Sequence, residues 1–281
     1  MMKCINSVYI LLLLEIACIF YAPETAAQVN VLTQHNNLKR TGWNNTEIIL
    51  TQDNIANGNF GKIFTRKVDD QVYAQPLVVS NLNIAGGLRN VVFVATVNNS
   101  VYAFDADDPA TAKPLWQANL TYSGYRPPLN TDMDEGCGGN YRNFIGNIGI
   151  VSTPVIDPAT NSIYLVARSA SKDGKTFVQY LHSLDIITGK EKANSPVYIT
   201  ASVPSYSEGN VNGVVTFDQK KHNQRAGLLL YDNTVFICWA SHCDWGPYHG
   251  WVMGYDAKSM QQKYAIAIGK WMLNAANAAR F

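Results

Sequence analysis

Two histidines, a cysteine and two aspartates are concentrated in the stretch ASHCDWGPYHGWVMGYD, which begins at residue 240. Imidazole nitrogens and carboxylate oxygens are suitable ligands for zinc and similar ions, so His242, Asp244 and His249 form a candidate metal site. Their spacing matches no standard metal motif, and the intervening WGPY is equally typical of a rigid turn packed by its rings. The sequence leaves two interpretations open: a metal or acid–base site, or a structured loop with hydrogen-bonded histidines.

A second candidate site is the acidic, glycine-rich stretch NTDMDEGCGGN, which contains Asp132, Asp134 and Glu135. Hard cations such as calcium prefer several oxygen ligands on a loop that can bend around them. The twelve-residue spacing of an EF-hand is absent. The sequence therefore predicts either a calcium site or a solvated acidic loop at this place.

Three similar segments, at residues 90–107, 162–186 and 234–257, must position these loops. Each has a β-branched and aromatic run, a polar loop, and a second run that closes on a small residue, an apolar residue and an aspartate. The closing aspartates, Asp105, Asp185 and Asp256, lie 80 and then 71 residues apart. A further apolar run precedes and follows each pair. Four short strands per repeat, separated by turn residues, predict the blade of a β-propeller.

The predicted fold class is therefore all-β: a partial β-propeller of about three four-stranded antiparallel blades. The blades are predicted at residues 75–120, 152–202 and 226–268, and the apolar run at residues 62–68 is predicted as an N-terminal closing strand. Residues 28–61 are predicted as a cap segment and residues 269–281 as a tail outside the repeats. Because three blades leave the ring open, the sequence predicts a fragment of a longer protein, truncated at its C-terminus.

Neighbouring strands alternate in direction, so the loops between second and third strands emerge at the same end as the connections between blades. The longest of these segments, at residues 121–151, 203–225 and 241–250, carry the unusual residues, and we expect them to form the working surface. Cys137 and Cys243 both fall in these loops and are the predicted disulfide. Cys238 falls inside a strand and is predicted to be a small buried side chain.

The N-terminal segment and the charge indicate where the protein works. Lys3, an apolar run of about 14 residues and small residues before Gln28 have the layout of a secretory signal peptide at residues 1–27. That run is too short to span a bilayer, so we expect a secreted or periplasmic protein with no membrane span. The formal net charge is +1, which disfavours nucleic acid as a partner.

The repeats also carry short motifs: YAQP at 73–76, YAFD at 102–105, LHSLDIITG at 181–189 and GPYHGW at 246–251. With these motifs, residues 31–268 resemble exported bacterial proteins of the pyrroloquinoline-quinone-like (PQQ-like) propeller superfamily. That superfamily joins quinone-dependent dehydrogenases with an outer-membrane assembly scaffold, and PQQ and calcium are cofactors that only the resemblance implies. The chain departs from the dehydrogenases, since it has no adjacent cysteine pair and their calcium ligands cannot be placed on it.

The predicted function is a binding or interaction module rather than an enzyme. Its loop-rich face would bind a protein, a glycan or a small ligand, and its open flanks require either self-association or missing C-terminal blades. The alternative is a PQQ-dependent dehydrogenase-like oxidoreductase, or an inactive remnant of one.

Overall fold

The computed structural model describes residues 29–58 and 60–269, and contacts along the chain divide it into two units. The smaller unit includes residues 45–58 and 60–61, with the short helix α1 (Gln52–Ala56). Its N-cap is Thr51, whose hydroxyl accepts a hydrogen bond from the Asn54 N–H at 3.2 Å. The predicted signal peptide and the tail beyond Gly269 lie outside the described residues. No described helix has the length and apolar character to cross a membrane.

The larger unit consists of residues 30–44 and 62–269 and contains every strand that the structure describes. Three sheets each contain four antiparallel strands in chain order, and the third has a short fifth strand in addition. The first sheet comprises β1 (Leu77–Ile84), β2 (Gly87–Ala95), β3 (Ser100–Asp105) and β4 (Trp116–Asn119). The second comprises β5 (Val155–Asp157), β6 (Ser162–Ala170), β7 (Phe177–Asp185) and β8 (Val197–Tyr198).

Along the chain, three short strands follow the second sheet and precede the third: β9 (Ser202–Pro204), β10 (Val214–Thr216) and β11 (His222–Asn223). The third sheet comprises β12 (Leu229–Tyr231), β13 (Thr234–Ser241), β14 (Gly250–Asp256) and β15 (Gln262–Ile268). β9 pairs with β10, and β11 pairs with the end of β13 beyond β12. The repetition of four-stranded antiparallel sheets confirms the predicted fold class, a partial β-propeller.

The three sheets pack face to face and share two apolar cores. Between the first and second sheets lie Leu77, Val91, Phe93, Ile163, Leu165 and Leu184, all buried. Between the second and third lie Tyr164, Val166, Leu181, Ile237, Trp251 and Met253. Because the second sheet is covered on both sides, all nine residues of β6 are buried. Burial of these alternating apolar side chains is the main source of stability for the stack.

The three closing aspartates occupy the same setting in each sheet. Each accepts hydrogen bonds from the backbone N–H groups two and three residues further on: Asp105 at 2.9 and 3.1 Å, Asp185 at 3.0 and 2.8 Å, and Asp256 at 3.1 and 2.8 Å. This is the local turn that aspartate side chains favour. The turns therefore form a structural repeat that matches the sequence repeat.

One turn of this kind also joins neighbouring sheets. Trp116 of β4 donates a hydrogen bond from its indole Nε1 to the Ile186 carbonyl at 2.9 Å. Gly189 has φ +70°, and a β carbon there would lie 2.5 Å from the indole ring. The indole consequently packs on the backbone of the Asp185 turn, which only glycine permits at that position.

The structure differs from the prediction at the N-terminal side of the sheets. Residues 62–68 belong to no sheet, so the predicted closing strand is absent from them. A strand needs a partner edge, and residues 62–68 pair with none of the described strands. Instead, an earlier segment lies along the first strands: Val31 bridges Val78 of β1, and the Leu32 carbonyl accepts from the Ile156 N–H of β5 at 2.8 Å.

Cys238 also departs from the prediction, because its side chain is exposed. It lies in β13 between Ile237 and Trp239, which both face the second sheet and are buried. Since side chains alternate between the two faces of a strand, Cys238 points to the opposite face. A position inside a strand therefore did not imply burial here.

Candidate functional site

We define the loop face as residues 121–151, 203–225 and 241–250, which meet at one end of the sheets. Its first feature is a disulfide between Cys137 and Cys243, with 5.3 Å between the Cα atoms. Cys137 belongs to a short turn (Gly136–Gly139) in the connection that follows β4, and Cys243 to a turn (His242–Asp244) that follows β13. The bond ties the connection between the first two sheets to a loop of the third, and it joins the two cysteines that the sequence placed on one face.

The connection that carries Cys137 also has an apolar core of its own. Met133, Tyr141, Phe144, Ile148 and Val151 pack there with Val97, Ala170 and Phe177 from the ends of the first two sheets. Residues 128–151 are therefore fixed to the sheets by burial as well as by the disulfide.

Behind the disulfide, His242 lies in a buried chain of hydrogen bonds. Its Nε2 is 2.8 Å from Arg168 Nη1, and its Nδ1 is 2.6 Å from the Tyr141 hydroxyl. A guanidinium can only donate, so Nε2 accepts and Nδ1 carries the hydrogen of a neutral ring. Tyr141 comes from the first connection and Arg168 from β6. One imidazole in the loop between β13 and β14 thus links the connection of residues 121–151 to the second sheet.

Burial makes the neutral state of this imidazole strongly preferred. Burial, together with the charge of Arg168 and the nearby His222, lowers the pKa of His242 to about 2. Burial lowers the pKa of Arg168 to about 10 and raises the pKa of Tyr141 to about 12. His242 is accordingly a hydrogen-bonding residue of the interior and not a group that exchanges protons near neutral pH.

The same interior holds the segment just before β11. Arg168 donates from Nη2 to the Lys220 carbonyl at 3.2 Å, and Gln179 donates from Nε2 to the His222 carbonyl at 2.9 Å. Trp239 in turn donates to Gln179 Oε1 at 2.9 Å. Side chains from β6, β7 and β13 therefore satisfy backbone groups of the loop face, which fixes its position relative to the sheets.

The candidate metal ligands at residues 242–249 are not brought together as a ligand set. Both ring nitrogens of His242 have protein partners, and His249 Nε2 is 2.9 Å from the Glu208 carbonyl. Asp244 is exposed. Across residues 29–58 and 60–269, no three histidine, cysteine or acidic side chains form a group that could hold a metal ion.

The acidic stretch uses two of its carboxylates in ion pairs. Asp132 makes a two-pronged contact with Arg126 at 2.7 and 2.8 Å, and it also accepts from the Leu129 N–H at 2.7 Å. Asp134 lies 2.6 Å from Lys220 Nζ. Glu135 is exposed and precedes the turn of Cys137. The predicted calcium ligands are therefore divided among separate partners, and they connect loops rather than surround one point.

A recess of about 540 Å³ opens on the loop face beside the disulfide. We call it the loop-face recess; it is lined by Glu208, Asp244, Gly246, Tyr248 and His249. The two carboxylates are exposed, as is part of the Tyr248 ring, whereas His249 is buried. The recess therefore combines two negative charges with an aromatic surface.

Close packing supports the rim of the recess. Gly209 has φ +78°, and a β carbon there would lie 2.6 Å from the Pro247 ring. Lys221 Nζ donates to the Gly246 carbonyl at 3.0 Å. Sequence reasoning identified the 241–250 loop but missed Glu208, because a single glutamate in a long connection carries no pattern. The one feature of the sequence that pointed to Glu208 was that its connection, residues 203–225, is predicted on the same face as the 241–250 loop.

The fold and this face define an all-β partial propeller with a cross-linked, polar recess at one end. No protein-family model matches the chain, and no curated protein matches it significantly. Solved structures with a similar fold include the quinohemoprotein alcohol dehydrogenase ADHIIG from Pseudomonas putida HK5, with a TM-score of 0.40, 14% identity, and coverage of 69% of this chain and 31% of that one. The quinohemoprotein alcohol dehydrogenase from Comamonas testosteroni gives a TM-score of 0.38, 14% identity and coverage of 70% and 31%. This chain spans about a third of their length, and a likeness of this size carries no argument about activity.

Proposed function

We propose that this chain is a binding module, and that its loop-face recess takes a ligand rich in hydrogen-bond donors. The observation that carries the proposal is the pairing of two exposed carboxylates, Glu208 and Asp244, around a recess of about 540 Å³. Carboxylates accept strong hydrogen bonds from hydroxyl and ammonium groups, and the Tyr248 ring offers a flat apolar surface to a sugar or an alkyl ammonium.

The support around the recess favours binding without rearrangement. The Cys137–Cys243 bond, the Tyr141–His242–Arg168 chain and the contact of Gly209 with Pro247 hold its walls. A site whose walls are already ordered loses less conformational entropy on binding. We also propose that the module works outside the cytoplasm, because a structural disulfide is typical of oxidising compartments.

The quinone alternative stays a prediction, and the described residues do not fit its cofactors. PQQ carries carboxylate groups, and the two acidic side chains of the recess would repel them. Calcium needs several oxygen ligands, yet Asp132 and Asp134 are already paired with Arg126 and Lys220. Addition of PQQ and calcium, with alcohols or sugars and a redox dye, is expected to give no dye reduction.

Calorimetry with two probes tests the binding proposal: methyl glycosides of neutral hexoses and the peptide tetralysine. We expect one of them to bind, and we expect the double variant Glu208→Gln, Asp244→Asn to weaken binding at least about tenfold. Binding of tetralysine weakens as salt is added, because charge attraction is screened, whereas binding of a neutral glycoside does not. The salt series therefore identifies the ligand class.

Glu135→Gln is the matched control, since it removes an exposed carboxylate of the loop face that does not line the recess. It should leave the affinity unchanged. The proposal fails if neither probe binds at millimolar concentration, or if the double variant binds as tightly as the unaltered protein.

A further inference from the structure

The third sheet is apolar on both faces, and one of them is left uncovered by the part of the chain that the structure describes. The inner face packs on the second sheet through buried side chains that include Ile237, Trp251 and Met253. The outer face carries Leu229, Tyr231, Phe236, Cys238, Ala240, Val252, Tyr264, Ile266 and Ile268. An antiparallel sheet that faces water normally alternates apolar with polar residues, which this one does not.

The edge strand β15 shows the pattern most clearly. Tyr264, Ile266 and Ile268 are 56%, 58% and 56% exposed, and they alternate with Ala265 and Ala267, which face the core. Large apolar side chains thus point outward and small ones inward. The second sheet also has apolar residues on both faces, and there a neighbouring sheet covers each one. The composition of the third sheet therefore suits a sheet that has a packing partner on each of its two faces.

The outer face has a definite relief. The rings of Phe236 and Tyr264 lie parallel, 6.4 Å apart, on either side of Gly254. A β carbon at Gly254 would lie 2.8 Å from the Tyr264 ring and 3.4 Å from the Phe236 ring, so glycine makes room for them. Further along β13, Cys238 and Ala240 are small. The face therefore has a ridge of large side chains along β15 and, on the far side of β14, a shallow area at Cys238 and Ala240 of β13.

Charge and area indicate what fits this face. None of these nine side chains carries a charge at neutral pH, and the charged pair on the same face, Lys263 and Asp256 at 3.1 Å, lies at one end of it. A partner with charged groups over the nine would lose their hydration without compensation. The three β15 side chains alone expose on the order of 300 Å², a large share of the roughly 800 Å² that each partner of a stable interface buries. A second copy of the chain offers the same uncharged relief, and a two-fold axis places the ridge of each over the shallow area of the other.

We propose that the third sheet packs face to face against the third sheet of a second copy of this chain. The arrangement repeats between two molecules the packing that joins the sheets within one. The competing geometry is edge pairing, in which the two β15 strands hydrogen-bond to each other. Cys238 distinguishes the two geometries. In the face-to-face arrangement the two Cys238 residues are offset by two strand spacings across sheets about 10 Å apart, so they lie roughly 14 Å apart, whereas edge pairing places them five strand spacings, or about 24 Å, apart.

Sedimentation velocity over a concentration series gives the first test. The full chain is expected to dimerise, and Ile266→Lys is expected to raise the dissociation constant at least about 100-fold, because each face would then bury an unpaired charge. Leu88→Lys is the matched control: Leu88 is 71% exposed in the first sheet, and its replacement should leave the dimer intact. Circular dichroism checks that both variants are folded.

Cross-linking gives the second test. A bis-maleimide that spans roughly 13 Å, close to the separation of the two Cys238 residues in the face-to-face arrangement, should join the two copies through Cys238, and Cys238→Ser should abolish the product. A dimer that does not cross-link there, or that survives Ile266→Lys, overturns the proposal. A protein that stays monomeric at every concentration also overturns the proposal. In that case, the reaction of Cys238 with a maleimide shows whether the outer face is open, and a Cys238 that does not react shows that another part of the chain covers it.

Discussion

At the scale of single residues, Gly149 occupies a position where no side chain fits. Its N–H donates to the Val97 carbonyl at 2.9 Å, and a β carbon there would overlap both that carbonyl and Asn99 Oδ1. Asn99 is buried and donates to the Arg168 carbonyl at 2.7 Å, so it has little room to move. The contact adds to the apolar core that joins the connection of residues 121–151 to the end of the first sheet.

Gly149→Ala is therefore expected to lower the free energy of unfolding by about 2 to 4 kcal/mol, because the clash is with backbone as well as with a side chain that cannot retreat. Urea unfolding measures the change as a shift of the midpoint. Gly87→Ala is the control, since a β carbon at Gly87 meets nothing within 4 Å. Equal midpoints for the two variants would contradict the packing described here.

Residue types and strand order predicted the Cys137–Cys243 pair, but they left the role of His242 open. Cys137 and Cys243 could be paired because strand alternation places their loops at one end of the sheets. The partners of His242 lie 101 and 74 residues away, at Tyr141 and Arg168, and no local pattern connects them. The sequence left His242 either a metal ligand or a hydrogen-bonded loop residue, and its two distant partners decide between these interpretations.

At the scale of elements, the disulfide connects parts of the chain that are far apart in sequence. The two cysteines are 106 residues apart, and the loop that they close includes the whole second sheet. A cross-link that closes so long a loop removes much conformational freedom from the unfolded chain. Its contribution should therefore appear in global stability and not only in the order of the loop face.

The double variant Cys137→Ser, Cys243→Ser is expected to lose about 2 to 4 kcal/mol of unfolding free energy. Cys238→Ser is the control, since this thiol is exposed and unpaired, and it should change stability by less than about 0.5 kcal/mol. Both are read from urea unfolding under non-reducing conditions. If the control and the double variant unfold at the same midpoint, the cross-link does not stabilise the sheets.

Elements were predictable where a strand is long and its pattern repeats. β2, β6 and β13 each have eight or nine residues of alternating or continuous apolar character, and the closing aspartates mark the end of the strand that follows each. β9 and β11 have three and two residues, which is too short for a period to show. The extended run at residues 62–68 has the composition of a strand but pairs with no described strand, and composition alone does not supply a partner.

At the scale of the whole molecule, two buried histidines link stability to pH. Burial lowers the pKa of His222 to about 4, and burial with the charge of Arg168 lowers that of His242 to about 2. Both lie where the loop face meets the second and third sheets: His222 packs on Phe217 and Trp251, and His242 on Tyr141. A proton on either ring would leave a charge in this interior, so the folded protein resists protonation there.

The sign follows from comparison with the unfolded chain, whose histidines titrate near 6.5. Above that pH neither state is protonated at these rings, and their neutral packing contributes fully. At pH 5 the unfolded state binds about two protons at these rings that the folded state does not. The unfolding free energy should therefore fall by about 4 kcal/mol between pH 7 and pH 5. Carboxylates such as Asp256, whose pKa is lowered by the Ser259 N–H and by Lys263, change the free energy of unfolding only at lower pH.

Urea unfolding at half-unit steps between pH 7 and pH 5 measures this slope, which reports the difference in bound protons between the two states. His242→Gln should halve the slope near pH 5, whatever it does to absolute stability, because it removes one of the two rings that bind a proton only in the unfolded state. His35→Gln, at an exposed position, is the matched replacement and should leave the slope as it is. A slope that is flat in the unaltered protein, or unchanged by His242→Gln, would mean that the ring admits a proton in the folded state. The interior of the loop face would then be open to water and not the closed hydrogen-bonded chain of Tyr141, His242 and Arg168.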